Sequence, residues 1–173
     1  MPPTPAEPVV PPDAPPAGVT PDAAPQAPRA LVFRRLPALV YDALPVLALW
    51  LLVGAVFTVG YALAGHPLRE NIKPFSALQW LEWLCCWLVT GGYAVLSWRR
   101  GGQTLGMRPW RLHVVAADGA PAAWRPLCVR YAVGTLSLLA AGLGFWWAWI
   151  DRDRLAWHDR ASGTRLLRRA RGR

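Results

Sequence analysis

The sequence predicts an all-α membrane protein: two transmembrane helices, a third apolar helical segment that is either re-entrant or spanning, and a small cytoplasmic cap containing strands. Three observations lead there. More than half of the 173 residues are hydrophobic and eleven are Trp, which is not a soluble composition. The apolar residues gather in three runs, each near the roughly 20 residues that cross a bilayer at about 1.5 Å per residue. The basic excess, nineteen residues of which only Lys73 is a lysine, is held between and after those runs.

Residues 1–30 contain eleven prolines with three acids among them, so they read as a disordered Pro/Ala-rich tail that samples extended polyproline II. They hold no apolar run long enough for a signal peptide. Residues 31–169 form the membrane domain, with apolar segments at 36–64, 75–98 and 131–150, and 170–173 are a basic C-terminal tail.

Charge decides between topologies. Arg29, Arg34 and Arg35 precede the first segment, and Arg69 and Lys73 follow it. Arg99, Arg100, Arg108, Arg111 and Arg125 follow the second, and eight arginines follow Ile150. Three full spans divide these almost evenly between the two sides, against the positive-inside rule. If the third segment enters and returns to the same side, sixteen lie inside and two outside. Gly142 and Gly144 supply the backbone freedom such a turn needs, while an uninterrupted span remains the alternative. A re-entrant turn needs protein or water over its backbone, and two spans cover it thinly, which implies a homo-oligomer or a partner membrane protein.

The cap follows from "RLHVVAADG": a short strand at 111–116, a turn at Ala117, Asp118 and Gly119, and a second strand at 164–167. Both strands fall on the cytoplasmic face and are free to pair.

Nothing points to an enzyme. The chain has no CxxC, HExxH, GxSxG or glycine-rich phosphate loop, so no cofactor and no metal is implied. Cys85, Cys86 and Cys128 form no even framework and read as buried, reduced thiols. Nucleic acid is excluded as a partner because the arginines flank apolar runs rather than forming one basic face. They suit anionic lipid headgroups instead.

Among the charges in or beside the apolar segments, Arg35, Asp42, Glu82 and Arg130 are the candidates for intramembrane roles. Arg35 and Asp42 lie two helical turns apart, about 10 Å along the axis, too far for a direct pair. Pro45 frees the Tyr41 carbonyl beside Asp42, and a carboxylate next to a free carbonyl suits a cation. Glu82 must lie within the second span, near its outer end, because 83–98 alone is short for a crossing. Arg130, entering the third segment, is the expected partner of Asp42. His158 beside Asp159 reads as a structural hydrogen-bonding group.

Arg35 followed seven residues later by Asp42, then "GQTLGMRPWRLHVVAADG", "VRY" and "GLGFWWAWIDRDRLAWHDRASGT", resembles the RDD family of small bacterial membrane proteins over roughly residues 31–169. The resemblance implies that Arg35 and Asp42 match the family's arginine and first aspartate, and Asp159, or alternatively Asp151, its second. It implies a bacterial inner-membrane location, which the charge count orients with the N-terminus cytoplasmic. A transport role has been suggested for the family. The expected function is movement of a small ion, proton or solute, with Asp42 and Glu82 coupling it. The alternative is a non-transporting scaffold or accessory subunit that binds anionic lipid and a partner protein.

Overall fold

The computed structural model describes residues 31–67 and 71–168. The predicted tails at 1–30 and 170–173 lie outside the described residues.

The first apolar run becomes α1, Val32–Leu63, which starts four residues before the predicted boundary and contains both Pro37 and Pro45. Ser76 then opens α2, Ala77–Gly101, its hydroxyl accepting from the Gln79 N–H, and Gly102 closes it in a left-handed conformation that glycine adopts without steric cost. Strand β1, Leu112–Ala116, pairs antiparallel with β2, Thr164–Arg168, in register from Leu112 opposite Arg168 to Ala116 opposite Thr164. Both expected strands are present, and they pair with each other.

The third apolar run is broken. α3, Trp124–Leu139, ends at a turn in which Ala141 and Gly142 both take positive φ, and α4, Leu143–Ile150, leaves it at 99°. Gly144 is what allows α4 to fold back so closely: a Cβ there would lie 2.7 Å from the Ser137 Cβ and 3.0 Å from the Trp157 ring. α5, Trp157–Ser162, lies against α3 and leads through Gly163 into β2.

Among the described residues, α1 alone is long and apolar enough to cross a membrane by itself, and the α3–α4 pair qualifies only if its halves count as one broken segment. α2 has the length, but it also carries Gln79, Glu82, Arg99 and Arg100.

The packed core lies at one end of the helices, where Ala38, Val95, Met107, Leu112, Leu127 and Leu166 converge beneath the sheet. Away from it the helices turn large side chains outward, with Leu44 at 70% and Leu63 at 84% exposure, a surface suited to hydrocarbon rather than water. Two expectations for the cysteines are corrected: Cys128 is exposed on α3, and Cys85 and Cys86 are only half-buried on α2. All three thiols are free.

Candidate functional site

Three helices contribute to a buried charge cluster at the cap end. Asp159, in the first turn of α5, is fully buried between two arginines. Its Oδ2 meets Arg35 Nη2 from α1 at 2.6 Å, and its Oδ1 meets Arg130 Nη1 from α3 at 2.5 Å. The Ala156 N–H also donates to Oδ2 at 3.1 Å, which holds the carboxylate at the start of α5. Arg130 Nη1 donates to the Thr164 hydroxyl at 2.8 Å, tying β2 to the cluster, and its guanidinium lies 5.4 Å from the centre of the Trp98 ring.

His158 completes the group. Its Nε2 lies 3.2 Å from Arg35 Nη1 and can only accept there, since a guanidinium has no lone pair to offer. The ring proton therefore sits on Nδ1, which is buried and has no hydrogen-bond partner among the described residues. Burial first, and then the positive charge of Arg130, push the His158 pKa down to about 3, although Asp159 pulls the other way. Burial alone would raise the Asp159 carboxyl. Arg130 and Arg35 overcome that and hold it below the ordinary carboxylate range. The cluster thus holds two cations, one anion and a neutral imidazole.

These contacts correct the expectation for Arg130, whose carboxylate is Asp159 and not Asp42. The reason is placement: α3 packs on α5, whereas Asp42 on α1 faces the loop that follows α2. Asp42 instead accepts from the Tyr93 hydroxyl at 2.8 Å, the Thr104 hydroxyl at 2.5 Å and the Gly106 N–H at 2.8 Å. The Tyr93 oxygen in turn accepts from the Leu105 N–H at 3.1 Å. Gly106 is required for this approach, because a Cβ there would fall 2.6 Å from the Asp42 backbone nitrogen. Thr104 and Gly106 both belong to the "GQTLGMR" stretch, and Tyr93 is the single phenol in the α2 sequence.

Asp151 and Asp159 separate clearly. Asp151 ends α4, accepts from the Leu155 N–H at 3.1 Å and pairs with Arg160 at 3.2 Å, outside the two-arginine cluster. Glu82 is remote from all of these. It faces Gly54 of α1, twelve residues beyond Asp42, and this puts the two acids roughly 18 Å apart along the helix. It lines a polar recess with Thr58, Tyr61, Asn71 and Gln79.

Between α1, α2 and α3 lies a cavity of about 200 Å³. Arg35, Asp42, Arg130 and His158 form its polar end, and apolar side chains such as Val46, Leu138 and Phe145 line most of the rest. Among the described residues no group of three or more His, Cys, Asp or Glu is placed to hold a metal.

Apolar helices that turn leucines outward, with their charges gathered and paired at one end, define a helical membrane protein. Residues 29–163 match the model of the RDD family, and the chain belongs to that family of membrane proteins. No curated protein and no solved structure matches the chain.

Proposed function

We propose that this chain is a multi-pass protein of the bacterial inner membrane that moves a small ion, proton or solute through the cavity between α1, α2 and α3. The observation that carries this reading is the cavity itself, bordered by Asp42, Arg35 and Arg130 at the end of an apolar bundle. Ionisable groups beside an apolar bundle of this kind are expensive unless they serve a pathway or pair with one another. The Glu82 recess lies toward the opposite end of α1 from Asp42. Between the two, Trp50 donates to Thr90 at 2.9 Å and Trp87 donates to Thr135 at 3.2 Å, and both threonines line the cavity. A solute moving from the cavity toward the recess would have to pass these contacts.

The sheet supports the proposed topology. Pairing of β1 with β2, and donation from the Val114 N–H to the Gly102 carbonyl, gather the end of α2 and the C-terminal strand at one end of the bundle. With the sharp α3–α4 bend this favours two spans and a re-entrant third segment, with the cap and the N-terminus cytoplasmic. Flux in proteoliposomes under imposed proton, sodium or potassium gradients tests the reading, comparing wild type with Asp42→Asn and Glu82→Gln. Transport predicts flux that each variant abolishes without loss of folding.

A specific observation favours the second reading, a scaffold or accessory subunit bound to anionic lipid and a partner membrane protein or a second copy. Asp42 has three donors and Asp159 two cations, which is the arrangement a folding role alone would need. Well-folded wild-type protein that passes none of the three ions favours this alternative.

A further inference from the structure

We infer that the cavity between α1, α2 and α3 is a binding site for a single-chain amphiphile with an anionic head, of the fatty-acid carboxylate class. This deepens the proposed function, because it names the solute class of the same site and rests on that reading for any movement of the ligand, though not for its binding.

The head-group argument is one of charge. Arg35 and Arg130 both line the cavity and are each 5% exposed, and the single carboxylate between them neutralises only one. One buried positive charge is left over at the cavity wall, and a buried charge requires a partner. Asp42, the other acid on that wall, does not supply it, being about 10 Å from Arg35 along α1 and turned toward Tyr93, Thr104 and Gly106. The hydrogen-bonding capacity of Arg35 is likewise incomplete. Nη1 and Nη2 meet His158 and Asp159, whereas its buried Nε has no acceptor among the described residues. A carboxylate accepting from this arginine pair is the recognition that planar, forked guanidiniums favour.

The tail argument is one of shape. Most of the rest of the wall is apolar, with the hydroxyls of Thr90, Tyr93, Thr104 and Thr135 among it, and its volume of about 200 Å³ exceeds the roughly 150 Å³ that accommodates a benzene ring in a dry protein cavity. Leu39 and Leu138 line it while remaining exposed at 37% and 52%, so the cavity opens between α1 and α3 onto the surface that faces hydrocarbon. A chain anchored at the arginines could leave through that opening, and no inorganic anion would use the apolar wall. Gly134 lines the cavity as well, and a Cβ built there meets nothing within 4 Å. That space is free for a ligand, or for a larger residue used to block it.

The test is equilibrium binding of dodecanoate to the full chain in detergent micelles, by native mass spectrometry and dialysis. Dodecanol, acetate and didodecanoylphosphatidylglycerol serve as competitors. Dodecanoate should bind at least tenfold more tightly than dodecanol, and acetate should not compete. Gly134→Leu fills the cavity, leaves the charge cluster intact and suits a helix better than glycine, so it should fold and weaken dodecanoate binding at least tenfold. Arg130→Gln, where it folds, should abolish the preference for carboxylate over alcohol. Equal affinity for dodecanol, or unchanged binding in Gly134→Leu, would overturn the proposal, and equal displacement by the two-chain lipid would overturn its single-chain form. Binding without any flux supports the site while removing the transport reading. Ion flux with no dodecanoate binding does the reverse.

Discussion

Replacing Asp159 with Asn should be the most damaging single change to the charge cluster, and the asymmetry of the cluster says by how much. The substitution conserves size but removes the carboxylate that touches Arg35 at 2.6 Å and Arg130 at 2.5 Å, leaving two buried guanidiniums with no counter-charge. Removing one partner of a buried ion pair is destabilising by about 3 to 5 kcal/mol, largely because the other charge is stranded. Here two are stranded, so that range is a lower expectation. It corresponds to a loss of roughly two to four decades in the folding equilibrium. Arg35→Gln and Arg130→Gln behave differently, because each leaves Asp159 with one remaining cation and the cluster neutral. Each should be destabilising by about 1 to 3 kcal/mol, the range for a lost charged hydrogen bond. The assay is thermal and denaturant unfolding of purified protein in one detergent, read by circular dichroism, with monodisperse yield as a second measure. An Asp159→Asn protein as stable as either arginine variant would refute the reasoning, since the acid could not then be the shared counter-ion.

The remaining predictions probe other parts of the molecule. Stability should fall as pH drops below about 6.5, because unfolded chains protonate His158 at that pH while the folded ring, with a pKa near 3, does not. The loss from this group should be about 2 kcal/mol at pH 5, and His158→Gln should remove that slope in pH-dependent melting. The contribution of Asp159, whose carboxyl is held below its ordinary value of 3.8, is present above that value and should be lost only in stronger acid. Gly106→Ala forces a methyl group against the α1 backbone at Ala38 and Asp42, and should lower stability by about 1 to 3 kcal/mol by the same unfolding assay. Gly134→Ala, with open space around the added carbon, should not. A double-mutant cycle should show coupling between Arg130→Ala and Asp159→Ala, and strictly additive effects for Arg130→Ala with Asp42→Ala. Thiol probes at Gly101 and just after Arg168 should label from the same side of the membrane, and opposite sides would restore three full spans.

Sequence alone determined the parts of this protein that depend on local pattern. Apolar runs of bilayer length appear as helices α1 and α2, and the break in the third run falls where Gly142 permits positive φ. Ala117, Asp118 and Gly119 lead out of a strand of five residues, as turn chemistry requires, and the family was legible because its residues lie in short contiguous motifs. Pairing across the chain was not legible. Arg130 was equally free, as a sequence, to meet Asp42 or Asp159, and only the packing of α3 on α5 selects Asp159. Nor does spacing reveal that Asp42 would be satisfied by a phenol 51 residues away and by a hydroxyl and an N–H from a loop. In apolar surroundings a charge binds whichever donor the fold brings within about 3 Å, and that distance is set by helix packing rather than by separation along the chain. The same holds for the cavity: its apolar lining could be counted in the sequence, but its position beside a buried, incompletely neutralised arginine pair arises only when three helices meet.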